Sequence, residues 1–248
     1  MLKNTYLHIP NVGVTTEKQI WKCGIKSWED YLKNHNTIKL PRTKKRLLLS
    51  GIEESMEQLS AGNHVFFARR LPSGVQWRAY NDFREKTAYV DIETTGLSPQ
   101  SDVITMIGIY DGKRTKTYIR GIDLDMAPIE LAKYKQLVTF NGARFDLGFI
   151  EHEFQGSINH LHTDLLYPLR KIGYSGGLKK IETLLGLSRS HETAGISGFD
   201  AVILWKKYER GNEEALDTLI KYNTEDVVNL EKIILMTYPK MIENEMKG

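Results

Sequence analysis

Tyr89-Val90-Asp91-Ile92-Glu93-Thr94-Thr95-Gly96-Leu97 sets two acids two residues apart inside an apolar, β-rich run. On a strand, alternate side chains share a face, so Asp91 and Glu93 point one way while Val90 and Ile92 point the other. Two carboxylates on one strand face raise each other's pKa and oppose burial. The strand carries them comfortably only if they reach water or share a cation. Two readings stay open from this segment alone: the polar outer face of an edge strand, or part of a functional site. Around this segment, residues 87–93, 103–110 and 114–120 read as three strands. Asp111-Gly112 joins the second to the third by a tight turn and makes an antiparallel meander. A helix is expected near residues 128–134 and a short apolar strand over 136–140. After Gly142 comes a helix with Leu147, Ile150 and Phe154 at helical spacing. Beyond Asn159 a short strand and several helices follow. The last helix runs from about residue 224 to 236, with Val227, Leu230 and Ile234 inward. The expected fold class is α/β, a mixed sheet of five or six strands flanked by helices.

Two further acids stand out. In Val138-Thr139-Phe140-Asn141-Gly142-Ala143-Arg144-Phe145-Asp146-Leu147, a strand turns at Asn141-Gly142 into a helix whose first turn contains Asp146, between Phe145 and Leu147. A first-turn Asp also complements the helix dipole, so this position has a structural explanation as well. In Tyr222-Asn223-Thr224-Glu225-Asp226-Val227-Val228, Tyr222 and Asp226 share one face if the helix includes both, because they are four residues apart.

Together the three segments resemble, in order and content, the first, second and third motifs of the DEDD exonuclease superfamily, whose fold is ribonuclease H-like. Asp91-Ile92-Glu93-Thr94-Thr95-Gly96-Leu97 has the form of motif one. Asn141 followed by Phe145-Asp146 has the form of motif two, and Tyr222 with Asp226 that of motif three. Further stretches are similar to the YprB-like branch of predicted exonucleases: residues 107–112, 162–166 and 178–182, with Tyr222-Asn223 near the end. The resemblance spans about residues 86–238. It implies a 3′→5′ exonuclease in which Asp91, Glu93, Asp146 and Asp226 hold two Mg²⁺ or Mn²⁺ ions, and such hard oxygen donors suit those ions. The position five before Asp226 is Lys221 rather than the His of the histidine subclass. Tyr222, four before it, therefore resembles the tyrosine subclass and would orient the attacking water. The same resemblance assigns Thr94 and Thr95 to the terminal 3′-hydroxyl, Leu97 to a wedge beside the last base and Asn141 to the sugar or scissile phosphate. Asp164 reads as a helix cap or a supporting acid, with the cap favoured. His152, His160, His162 and His191 have no shared ligand spacing.

The remaining composition fits this partner. Residues 1–86 contain 15 Lys and Arg against 8 Asp and Glu, a net of +7, whereas the rest contains 19 against 23, a net of −4. A basic region of residues 1–85 beside an acidic domain of residues 86–248 is expected, and the basic part is a candidate nucleic-acid handle. This region reads as mainly helical. Thr16 is expected to cap a helix containing Ile20 and Trp21, and Ser27 stands at the start of another. After Pro41, Leu47, Leu48, Ile52, Met56 and Leu59 follow helical spacing behind Arg42, Lys44, Lys45 and Arg46. Residues 65–80 read as a hairpin or an irregular connector. The opening Ile9-Pro10-Asn11-Val12-Gly13 with residues 24–32 resembles half of a helix-hairpin-helix motif, with Asn11 in place of the usual first glycine; the motif implies sequence-independent phosphate binding, and a plain helical packing module is the alternative. The single cysteine, Cys23, excludes an internal disulfide and a thiol zinc site. With no long apolar run and no signal-like start, the chain is expected to be soluble and cytoplasmic, with no membrane partner. The expected partner is nucleic acid, single-stranded DNA ahead of RNA. A ribonuclease H-like endonuclease or structure-specific nuclease, and a non-catalytic nucleic-acid-binding module, are the other function classes open.

Overall fold

The strand that carries the two acids is the middle one. In the computed structural model, which describes residues 1–247, a five-stranded sheet has the order β3-β2-β1-β4-β5. Its strands are β1 (Thr87–Thr94), β2 (Ile104–Tyr110), β3 (Thr115–Ile119), β4 (Gln136–Thr139) and β5 (Leu161–Asp164). β1 pairs antiparallel with β2, and β2 with β3, the expected meander, while β4 and β5 are parallel to their neighbours. A central strand has no solvent-facing edge, so the edge-strand reading of Asp91 and Glu93 is excluded.

The alternation of β1 sorts its side chains between two layers. Val90 and Ile92, with Ile107, Ile109 and Leu137, pack under α6 (Ala127–Leu131) and α7 (Asp146–Phe154) through Leu131, Phe149 and Ile150. Tyr89 faces the other way and joins Val138 in a core with Val227, Leu230 and Ile234 of α11 (Glu213–Lys247) and Leu169 of α8 (Leu166–Lys171). A third apolar cluster joins Met106 of β2 to Tyr222 and Leu219 of α11 and to Ala201 and Trp205 of α10 (Gly198–Tyr208). α9 (Leu178–Leu184) completes this side, and Ile181 buries in the α11 core. α11 thus crosses the sheet face that carries Asp91 and Glu93. It is much longer than residues 224–236: the chain is already helical at Glu213, and Tyr238 and Met241 continue its buried face past Met236.

The N-terminal region packs α1 (Val14–Lys22), α2 (Trp28–Asn34), α3 (Arg42–Ser60) and α4 (His64–Arg70) around Ile20, Trp28, Tyr31, Leu48, Ile52 and Phe67, in a core that Leu161 of β5 also joins. Ser27 starts α2 with a reciprocal capping box: Ser27 Oγ accepts from the Asp30 amide at 3.0 Å, and the Asp30 carboxylate accepts from the Ser27 amide at 3.1 Å. Three expectations are corrected in this region. Gly13, not Thr16, is the N-cap of α1, and Thr16 lies inside the helix with its hydroxyl accepting from Lys44 Nζ at 3.2 Å. Residues 65–80 form no hairpin: Asn63 caps α4 by accepting from the Phe66 amide, and Pro72 opens a 3₁₀ run over Ser73–Ala79, followed by α5 (Tyr80–Phe83). Met56 is 36% exposed, because Ser55 takes the buried position on that face of α3.

The two regions lock together through buried charge. Arg78, 1% exposed, donates to Glu17 at 2.7 Å, to Thr5 Oγ1 at 2.8 Å and to Glu245 near the end of α11 at 2.5 Å. Trp77 and Tyr80 pack on Tyr238 of the same helix. Among the described residues no helix is long and apolar enough to cross a membrane.

Candidate active site

One cleft of about 530 Å³ is lined by all nine residues singled out in the sequence: Asp91, Glu93, Thr94, Thr95, Leu97, Asn141, Asp146, Tyr222 and Asp226. Three elements supply the acids. β1 presents Asp91 and Glu93, α7 begins with Asp146, and α11 brings Tyr222 and Asp226 on its buried face. Oxygen atoms of Asp91, Glu93 and Asp226 lie within 4.8 Å of one another. Asp146 lines the same cleft but stands outside that trio.

Local structure explains each placement. α7 starts where it does because Asn141 takes a left-handed φ of 64°, a conformation asparagine tolerates. The next residue must be small, since a Cβ at Gly142 would meet Thr139 Oγ1 at 2.2 Å. The turn is held by Asp164, whose carboxylate accepts from the amides of Asn141 at 2.7 Å, Ala143 at 3.1 Å and Leu166 at 3.1 Å. Asp164 therefore clamps the loop in front of Asp146 and accepts from the first amide of α8, but it is not the expected cap: it ends β5, and Leu165 holds the N-cap position of α8. On the other side, Asn223 donates to Asp91 Oδ2 at 3.0 Å and to its carbonyl at 3.3 Å. This approach requires glycine opposite, because a Cβ at Gly108 would lie 1.8 Å from Asn223 Oδ1.

The electrostatics are those of a site that wants cations. Burial, then the charges of Asp226 and Asp146, pushes the Asp91 carboxyl well above its ordinary range. Glu93 rises through burial and Asp226. Asp146 is raised to about 7 and Asp226 to about 6, burial being the main cause in both. Glu93 Oε1 and Asn223 Oδ1 are buried acceptors without a donor. Hard carboxylate oxygens gathered this closely, with Glu93 Oε1 unpartnered, fit a divalent oxygen-loving ion such as Mg²⁺ or Mn²⁺. Tyr222 is 7% exposed, and burial with the nearby Asp226, Glu93 and Asp91 charges drives its phenol further above its ordinary range, so it stays protonated at neutral pH.

The predicted substrate contacts divide. Leu97 is 86% exposed at the lip of the cleft, free to meet a ligand. The hydroxyls of Thr94 and Thr95 are engaged inside the turn: Thr94 Oγ1 donates to the Gly96 carbonyl, and Thr95 Oγ1 accepts from the Val103 amide. The Thr95 amide is also taken, donating to the Val103 carbonyl at 3.0 Å.

Several site residues have no role in the sequence reading. Phe199, 74% exposed, and Lys206 line the cleft from α10. Lys179 Nζ lies 4.6 Å from the Tyr222 ring centroid and has no hydrogen-bond partner. Arg189 pairs with Glu182 and with Asp226. Lys179 and Glu182 fall inside a motif-like stretch, which is their only sequence signal. Arg189 lies in a loop without periodicity and has none.

The family model of the RNase H superfamily matches residues 88–238. Among solved structures, the fold is similar to that of the family B DNA polymerase from the hyperthermophilic archaeon Pyrobaculum calidifontis, with 15% identity and a TM-score of 0.50. That match covers 62% of this chain and 24% of the polymerase, so the chain spans about a quarter of the polymerase's length. It is also similar to Brucella melitensis NrnC, with 19% identity, a TM-score of 0.47 and coverage of 67% of this chain and 79% of that one. No curated protein matches the sequence.

Proposed function

The chain belongs to the RNase H superfamily, whose model matches it over residues 88–238, and from that premise we propose that it is a metal-dependent 3′→5′ exonuclease of the tyrosine subclass, acting on nucleic acid and on single-stranded DNA ahead of RNA. The observation that carries this reading is the convergence of Asp91, Glu93 and Asp226 within 4.8 Å, with Asp146 and Tyr222 on the same cleft.

Asp91, Glu93, Asp146 and Asp226 would hold two Mg²⁺ or Mn²⁺ ions. When bound, such ions lower the pKa of water and neutralise charge developing on a transferring phosphate. The chain's own residues do the rest. Asn223 fixes the Asp91 carboxylate, and Asp164 fixes the turn that sets Asp146. The protonated Tyr222 hydroxyl orients a water by hydrogen bonding rather than by taking its proton. Leu97 at the lip, with Asn141 behind it, would hold the terminal nucleotide, and any contact from Thr95 to a terminal hydroxyl would have to displace bonds the turn already makes.

The basic N-terminal region is proposed as the handle that retains the polyanion which the acidic domain repels. Its net charge of +7 supports this, and so does the left-handed Asn11, φ 62°, which makes the Pro10–Gly13 turn in front of α1 without glycine.

The test is a degradation assay with 5′-labelled linear single strands and internally labelled circles, DNA and RNA, in Mg²⁺ and in Mn²⁺. A ladder shortening from the 3′ end with intact circles is expected. Cut circles would assign an endonuclease, and binding without cleavage in either ion would assign a non-catalytic module.

A further inference from the structure

Arg189, in the loop between α9 and α10, lodges a cation on one of the acids assigned to metal. Its Nη2 donates to Asp226 Oδ1. Nε and the same Nη2 grip the Glu182 carboxylate, each at 2.7 Å. Glu182 is 1% exposed and is itself held by Asn229 Nδ2 at 2.9 Å. The Arg189 side chain is 7% exposed, and its Nη1 has no partner. The loop is attached to α11 a second time, independently of the arginine: the Ser190 amide donates to Glu225 at 3.0 Å, and Thr193 Oγ1 donates to the other oxygen of the same carboxylate.

This is a built arrangement with a chemical consequence. A guanidinium and a divalent ion make the same demand on Asp226, the lone pairs of a carboxylate, and both bring positive charge into one small space. Asp226 is one of only three acids whose oxygens fall within 4.8 Å among the described residues, so an ion among them is a close neighbour of whatever cation Asp226 already holds. Glu182 keeps the arginine by its other edge, and Glu225 keeps the loop. The guanidinium can therefore leave Asp226 without the loop leaving α11.

We propose that Arg189 is the resident counter-ion of the acid cluster: it holds Asp226 while no divalent ion is bound, and a divalent ion binds in competition with it. The proposal rests on the reading of Asp91, Glu93 and Asp226 as metal ligands. It differs in sign from a purely structural role. An arginine that only oriented Asp226 would aid metal binding, and its loss would weaken it; a competing cation opposes metal binding, and its loss strengthens it.

The experiment is calorimetric titration of the full chain with Mn²⁺, with no nucleic acid present, together with thermal melts of the metal-free and Mn²⁺-saturated forms. Arg189→Met is expected to bind Mn²⁺ about tenfold more tightly than wild type, within the usual range of site-to-site coupling. Its metal-free form melts lower, and its gain in melting temperature on Mn²⁺ is larger. Glu182→Gln combined with Arg189→Met removes both buried charges and shows the same tightening if the single variant folds poorly. Arg189→Lys, which keeps the charge, falls between wild type and Arg189→Met. Lys180→Met removes an exposed charge from α9 and leaves the affinity unchanged. Equal or weaker Mn²⁺ binding by both Arg189 variants would overturn the proposal, as would equal tightening by Lys180→Met. A wild-type chain that binds no Mn²⁺ would overturn this proposal and the metal-site reading together, whereas wild-type binding with no change in the variants overturns this one alone.

Discussion

Asp146 concentrates the electrostatics of the site at one residue. Its carboxyl is 4% exposed and is raised from 3.8 to about 7, chiefly by burial; Asp226 moves from 3.8 to about 6 for the same main reason. A carboxyl whose folded pKa lies above its unfolded value binds protons more tightly when folded. Its contribution to stability is complete below about pH 4 and is lost as pH rises through 6 to 7. Melts of the protein in chelator should therefore show stability falling between pH 4 and 7, by an amount on the order of a few kcal/mol, and Asp146→Asn should flatten the decline. A stability that rises over this window would contradict the role given to burial. Tyr222→Phe removes one hydroxyl from a side chain that is otherwise packed, so Mn²⁺ affinity should hold while the cleavage rate falls on the order of a hundredfold. Equal loss of both would make Tyr222 a structural residue. The five residues of the proposed centre are singled out by the joint likeness of their three segments to the exonuclease motifs; taken alone, Asp91, Glu93 and Asp146 are acids beside apolar residues, whereas Tyr222 and Asp226 stand in a polar stretch that draws no notice. Arg189 is not legible, because its partners lie 7 and 37 positions away and only the folded loop brings them together.

At the scale of elements, β1 and α11 make the site by approaching closely, and Gly108 on β2 is the position that allows it. Gly108→Ala would place a methyl 1.8 Å from Asn223 Oδ1, so Asn223 must withdraw from Asp91. Overpacking of this kind costs about 1–3 kcal/mol. Both a lower melting temperature and weaker metal binding are expected in the same variant. A Gly108→Ala protein with wild-type stability and Mn²⁺ affinity would show that the approach is not needed. The meander and the turn into α7 are readable because Asp111-Gly112 and Asn141-Gly142 announce themselves. α4 is not, since Phe66 and Phe67 adjoin Pro72-Ser73-Gly74 and imitate a strand and turn, while the cap at Asn63 and the burial of Phe67 alone decide for helix. The length of α11 is also hidden, because its face changes from acid and tyrosine at the site to apolar residues further on, and a single periodic window sees only one part.

For the whole molecule, the proposed reading turns the division of charge into a division of labour: the acidic domain would gather carboxylates for cations, and the basic region, fastened to it through Arg78, would supply affinity for a polyanion. Arg78→Met leaves Glu17, 1% exposed, without its ion-pair partner, and breaking a buried pair from one side costs about 3–5 kcal/mol. Unfolding in denaturant should register that loss. Arg42 and Arg46 are exposed at the start of α3. Reversing both to Glu should weaken single-strand binding and lower the slope of log affinity against log salt by about 0.7 for each phosphate that is no longer neutralised. An unchanged slope would remove this face from the handle. The acid cluster is proposed to cut phosphodiester bonds with metal, and a single comparison tests this: release of mononucleotides from a 3′-labelled single strand in Mg²⁺, by wild type and by Asp91→Ala purified identically. Steady release by the wild type and none by the variant is the expected result, and undiminished Mg²⁺-dependent release by Asp91→Ala would contradict the claim.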